Sequence, residues 1–269
     1  MGTHSQTFEN AANVLIRGES HRVWSLIVTI FGDLARHDGD RISGAVLTRL
    51  MGMMGVKPEA MRVALYRLRK DGWIDSAREG RGSLHYLTPL GRRQSAEASP
   101  RIYDAVRAFP VLWHLLIAGT GEATGRGQLD SFLLTGDYLL VGSQVVIGPG
   151  GLPQDLRGLL GVETDRLAVP DWLCDQVCPP DLMAQYMALE QDFRTVLSLL
   201  EAAPGLSVLE TAALRLLSVH CWRRLLFRHP DLPEQFFPAG WRGPVCRGLF
   251  CALMQRLPAP DIAALEADI

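Results

Sequence analysis

Of the 269 residues, 48% are apolar and 21% charged, which is enough to bury sizeable cores in two or three domains and excludes a disordered or fibrous chain. The longest apolar stretches, residues 25–31 and 111–118, fall far below the roughly 18 residues of a membrane helix, and the N-terminus lacks a basic start followed by an apolar core; a soluble, unexported, cytoplasmic protein is expected. The net charge of −2 hides a division: residues 1–21 carry −1, residues 22–108 carry 15 cations against nine carboxylates, and residues 109–269 carry 11 against 18, so a +6 segment is joined to a −7 remainder as in a nucleic-acid binder fused to a sensing or oligomerising part.

In chain order, residues 1–21 form a polar leader expected to be mobile. Trp24 to Arg36 then predicts a buried first helix, although its β-branched run Ile27, Val28, Thr29, Ile30 also suits a strand. Ser43 is placed to N-cap a second helix with Val46, Leu47, Leu50 and Met54 at helical spacing, and Gly52 and Gly55 loosen the chain before Pro58, a residue suited to a first helical turn. In the third helix, Pro58 to Asp71, the residues Met61, Ala64, Leu65 and Leu68 share one stripe. Lys57, Glu59, Arg62, Val63, Tyr66, Arg67 and Lys70 fall elsewhere, giving a cationic face with one aromatic ring, as on a helix that enters a DNA major groove. A merely solvated face is the alternative on charge alone.

The adjoining residues favour DNA. Gly72 ends the helix, Trp73-Ile74 opens an extended run, and Glu79-Gly80-Arg81-Gly82 reads as a turn before Ser83 to Leu87, a hairpin carrying Arg78 and Arg81. Three helices and an Arg-tipped hairpin over residues 22–88 predict a winged helix-turn-helix, the hairpin reaching phosphates or the minor groove. Thr88-Pro89 starts a charged linker helix within residues 89–108.

The landmarks SLIVTIFGD, VALYRLRKDGW and YLTPLGRR, with HCWRRLLFRHPDLPEQFFPAGWRG from His220 to Gly243, resemble the PaaX-type repressors of phenylacetic acid catabolism, and the two matches stand in the family's order at both ends of the chain. The resemblance implies a homodimeric repressor on double-stranded operator DNA. It also implies an acyl-CoA effector, phenylacetyl-CoA in the name-giving members. Trp222, Arg223 and Arg224 lie in the downstream match; the two arginines could pair a coenzyme A phosphate, or could cap helix carbonyls and bind Asp231.

Between the matches, residues 109–170 read β (Val111 to Ala118), α (around Gln128 to Leu134), β (Tyr138 to Val141), β (Gln144 to Ile147), a short helix from Pro153, and β (Glu163 to Val169), an order that predicts a ferredoxin-like, dimerising domain. The family's middle domain is similar to CRISPR-associated ferredoxin-like endonucleases. Metal-dependent cleavage would want a carboxylate after the first strand, where this chain has Gly119-Thr120-Gly121. Thr120, Gly121, Gly125 and Gly127 spell the T-G-x-x-x-G-x-G of short-chain dehydrogenases, but the Tyr-x-x-x-Lys pair those enzymes need is missing, since the last lysine is Lys70.

Five cysteines, an odd number, suit reduced thiols without structural disulfides. Cys174 with Cys178, and Cys246 with Cys251, match no CxxC framework, so buried thiols are the simpler reading. Amphipathic stretches at Asp181 to Glu201 and Ser207 to Arg228 make residues 171–269 a helical C-terminal domain. The expectation is therefore an α+β, mostly helical, DNA-binding protein with no catalytic residues, cofactor or metal. Two alternatives are an enzyme using the Gly-rich loop at 119–127 on a nucleotide or acyl-CoA, and a winged helix that contacts protein.

Overall fold

The computed structural model describes residues 5–17, 22–80, 82–106, 108–119, 123–156, 158–202 and 205–269. Its architecture is α+β and mostly helical, with eleven α-helices and two antiparallel sheets among those residues.

The supposed leader contains a helix, α1 (Gln6–Ile16), capped by the Ser5 hydroxyl, which accepts from the Phe8 amide. This corrects the expectation of mobility across residues 5–17. Phe8, Ala11, Ala12 and Leu15 recur at helical spacing and are all buried, and the burial of such a stripe outweighs the polarity of its neighbours.

The predicted helices come next as α2 (Val23–Leu34), α3 (Gly44–Met53) and α4 (Pro58–Lys70), with a two-residue strand β1 (Ile42–Ser43) before α3. Ser43 caps α3 by accepting from the Val46 amide, as its position predicted. The hairpin is β2 (Ile74–Glu79) and β3 (Gly82–Leu87), and β1 joins its far edge in the order β1-β3-β2. The linker helix is α5 (Pro89–Tyr103), whose N-cap Thr88 accepts from the Gly91 amide and donates to the Gly72 carbonyl at 2.6 Å. At Gly91 a Cβ would run into the Trp73 carbonyl oxygen, which is backbone and has no rotamer to yield. Gly91→Ala is therefore expected to cost roughly 1–3 kcal/mol of stability, readable as a lowered unfolding midpoint of the full chain.

The chain then forms β4 (Trp113–Ile117), α6 (Ala123–Leu133), β5 (Leu139–Val141), β6 (Val145–Pro149), β7 (Leu160–Thr164) and α7 (Asp171–Val177). The sheet order is β5-β6-β4-β7, and every neighbouring pair is antiparallel. Leu116 and Val146 pack with Leu129 of α6, Ala118 and Leu159 in a buried cluster. Gly125 brings α6 close to the end of β4, since its Cβ would sit 3.3 Å from the Ala118 Cβ. Two expectations change here. Among the described residues no helix forms over residues 153–156, which run without regular structure between Gly150 and Gly158, both at positive φ of 85° and 88°. The last strand begins at Leu160 and is over by Thr164, ahead of Arg166-Leu167-Ala168-Val169.

The remaining helices are α8 (Pro180–Ala202), α9 (Val208–Leu226), α10 (Gly243–Arg256) and α11 (Ile262–Ala267). They do not form the single C-terminal domain expected for 171–269. One compact unit comprises residues 1–105, 186–224 and 243–269, and the other comprises 106–185 and 225–242. Within the first unit, Arg215 of α9 donates to both oxygens of Asp33 at 2.7 and 2.9 Å, Tyr103 donates to the same carboxylate at 2.7 Å, and Arg247 of α10 donates to the Asp104 carbonyl at 2.7 Å. These pairs lie some 70 to 180 residues apart in sequence, a separation that local patterning cannot report.

Candidate nucleic-acid interface

Helix α4 divides as its periodicity predicted. Met61, Ala64, Leu65 and Leu68 are buried, whereas Lys57, Glu59, Arg62, Val63, Tyr66, Arg67 and Lys70 lie toward solvent, all exposed or partly so. Val63 at 69% and Tyr66 at 65% exposure stand one helical turn apart among these cations. Arg67 approaches Asp71 at 3.8 Å, with both side chains more than half exposed, a surface pair too weak to hold the guanidinium away from another anion. The helix concentrates its cations in its second half, with Arg67, Arg69 and Lys70 in the last turn.

The β2–β3 hairpin stands beside this helix within the same unit. Arg78 is near its tip, and Arg81 lies outside the described residues. Between α3, α4 and the hairpin runs a groove of about 1450 Å³, with Arg49, Arg62, Arg69 and Arg78 among its lining residues and Thr48 and Ser83 as neutral hydrogen-bonding groups. Arg49 and Arg69 are groove residues that sequence reasoning missed. Arg49 could have been noticed as the one cation of an otherwise largely apolar helix, at the edge of the stripe formed by Val46, Leu47 and Leu50. The Arg69 guanidinium donates to the Ser76 hydroxyl at 3.1 Å and so braces α4 against the hairpin.

His85 lies buried on the groove floor, its Nε2 3.0 Å from the Ser83 hydroxyl. Burial, and then the nearby Arg69 charge, hold its pKa below the usual imidazole value. At neutral pH it therefore adds no charge to the groove. The start of α3 is tied from behind, since Glu266 accepts from the Ser43 amide at 3.0 Å and from its hydroxyl at 2.8 Å.

The three residues singled out from the downstream match occupy different surroundings. Trp222 is 1% exposed, stacks on Phe250 at 5.7 Å and donates its indole N–H to the Ile102 carbonyl at 3.0 Å; this is a core residue. Arg223 points the other way, donating to the Thr29 hydroxyl at 2.8 Å and the Ser25 carbonyl at 3.3 Å on α2. Arg224 is half-buried beside it on α9. Helical neighbours diverge by about 100°, so Arg223 and Arg224 do not form one fork.

Part of the Gly-rich loop, residues 120–122, lies outside the described residues; Gly125 serves the close packing of α6 on the end of β4. All five cysteines are free thiols. Cys221 and Cys246 lie against the Leu15 and Tyr186 carbonyls, at 3.4 and 3.3 Å, while burial pushes the Cys178 thiol up to about 11. Among the described residues no three His, Cys, Asp or Glu side chains gather around a common point, and no helix is long and apolar enough to cross a membrane.

Two family models match the chain. The one described as PaaX-like protein covers residues 22–91, and the one described as PaaX-like protein C-terminal domain covers residues 180–266. The chain is 29% identical over 262 residues to the transcriptional repressor PaaX of Escherichia coli strain K12, spanning 91% of this chain and 83% of that one. It is also similar in fold to the solved structure of the uncharacterized protein Rv0674 from Mycobacterium tuberculosis, with a TM-score of 0.50 and 22% identity over 91% of this chain and 99% of that one.

Proposed function

Since the chain belongs to the PaaX-like protein family, we propose that it is a DNA-binding transcriptional repressor of phenylacetic acid catabolism, without catalytic activity, that works in the cytoplasm and leaves its operator when an acyl-CoA such as phenylacetyl-CoA binds. The observation that carries the reading is the exposed cationic face of α4, with Tyr66 and Val63 at its centre, beside an Arg-bearing hairpin.

Helices α2, α3 and α4 followed by the β1-β3-β2 sheet support a winged helix-turn-helix. In that arrangement Arg62, Tyr66, Arg67 and Lys70 enter the major groove, Lys57 and Glu59 flank the entry, and Arg78 and Arg81 hold phosphate or the minor groove. The antiparallel order β5-β6-β4-β7 with one crossover helix supports a ferredoxin-like middle domain. That sheet has an apolar second face: Leu115 and Ile117 of β4 pair with Val162 and Leu160 of β7, and Leu160 is 62% and Val162 43% exposed. A homodimer formed through this face would read a dyad-symmetric operator. Replacing both Leu160 and Val162 by Glu is expected to shift the protein from dimer to monomer in sedimentation velocity while leaving its far-UV dichroism unchanged.

The function is tested by titrating the protein onto its own upstream DNA at two salt concentrations, with and without phenylacetyl-CoA. Tight binding that weakens steeply with salt and is released by the thioester is the expected result. Binding that ignores the thioester would remove the effector from the reading. Absence of binding to every upstream fragment would remove DNA, and favour the protein-contact or enzyme alternatives.

A further inference from the structure

Helices α2, α5 and α9 line a partly open cavity of about 210 Å³ within the first compact unit. Its apolar wall includes Val28, Ile102 and Val219, and Ser95 and Ser99 add hydroxyl-bearing side chains to the lining, while the Tyr103 hydroxyl is already given to Asp33. Among the described lining residues Arg223 alone carries a formal charge, and none is a carboxylate. The hydrogen bonds from Arg223 to the Thr29 hydroxyl and the Ser25 carbonyl fix its guanidinium at the cavity wall. An arginine stays protonated even where burial works against its charge, as it does here, so a cavity lined by this cation, hydroxyls and hydrocarbon is electrostatically complementary to an anion.

We propose that this cavity binds a small free carboxylic acid, its carboxylate on the Arg223 guanidinium and its short hydrocarbon body against Val28, Ile102 and Val219. The size sets the class. Drug-sized ligands fill pockets of roughly 300–1000 Å³, so this one takes something smaller and cannot enclose a coenzyme A moiety. The charge sets the form, because a guanidinium favours a carboxylate over the uncharged carbonyl of an amide or thioester. The cavity is walled on one side by α2, which packs on α4, and on another by α5, which leaves the hairpin. An occupant therefore alters the support of the DNA-facing elements. This coupling rests on the repressor reading; the binding itself does not.

The test uses the full chain with benzoate and hexanoate as probes, and benzamide and hexanamide as neutral controls, followed by calorimetry and by the unfolding midpoint. Saturable binding of at least one acid, at least tenfold tighter than its amide, is expected, together with a raised midpoint. Arg223→Met should lose that binding at least tenfold. Ala98→Phe, which fills the cavity from α5 and leaves Arg223 in place, should abolish it, and carries the test if Arg223→Met does not fold. No saturable binding of either acid, equal binding of acid and amide, or undiminished binding to the folded Ala98→Phe protein overturns the site. Acid binding that leaves operator affinity unchanged, in a protein that does bind the operator, overturns the coupling; a protein that binds the acid but no DNA overturns the repressor reading alone.

Discussion

Replacing Arg62 and Arg67 together with alanine is expected to abolish operator binding at physiological salt and to leave the protein folded. Each side chain lost from a base edge costs about 1–3 kcal/mol, and each lost from a phosphate lowers the salt slope by about one, so two base contacts together are worth a loss of affinity between roughly 30-fold and roughly twenty-thousand-fold. Folding is unaffected for a separate reason. Both positions face solvent on α4, and alanine is at least as good a helix former as arginine. The measurement is fluorescence anisotropy on labelled operator at two salt concentrations, with the thermal midpoint as control. Unchanged operator affinity in the folded double variant would move the DNA contact off this face.

Loss of the Asp33 carboxylate should be the most damaging single change to stability. Asp33 is 2% exposed and Arg215 11%, and the carboxylate takes a bidentate guanidinium and the Tyr103 hydroxyl together. Burial and this neighbouring carboxylate also raise the Tyr103 pKa far above its usual range, so the phenol stays a neutral donor. Asp33→Ala leaves a buried guanidinium without its counter-charge, which costs roughly 3–5 kcal/mol. Asp33→Asn keeps the size and one acceptor, and should fall between that variant and the parent. Chemical denaturation of the three proteins checks the order; a loss below about 1 kcal/mol in the alanine variant, the size of an exposed pair, would mean that water replaces the carboxylate. Operator affinity should fall with stability, since Asp33 sits on α2, the helix that packs against α4.

The parts of this molecule that were legible in the sequence are those written in local periods. The stripe Met61, Ala64, Leu65, Leu68, the cap at Ser43, the break at Gly72 and the turn at Gly80 each express one short-range rule, and each lies where that rule puts it. The solvent-facing residues of α4 are the complement of the buried stripe and were legible with it. What was illegible depends on contacts distant in sequence. Strand β1 has two residues, too few for any alternation, and exists because β3 offers it an edge. Trp222 beside two arginines reads equally well as a ligand platform or as core, and only Phe250 and the Ile102 carbonyl decide it. The helix in residues 6–16 is masked by the polar residues that surround the apolar side chains of its one buried face. That residues 186–224 and 243–269 belong to the first compact unit while 225–242 belong to the other has no local signature at all.

The first compact unit is assembled from three separate lengths of chain, and the acceptors that close it, the Leu257 carbonyl for Arg215 and the Glu266 carboxylate for Ser43, lie more than 150 residues beyond residue 105. A ribosome adding about 5–20 residues per second needs roughly eight to thirty seconds to travel from residue 105 to these acceptors. For much of that interval α2 has α4 and α5 beside it but lacks Arg215 and Arg223 of α9. A message truncated ahead of the Leu257 codon would therefore yield a fragment in which Arg215 lacks one of its acceptors and Ser43 lacks Glu266, so the start of α3 loses its tether.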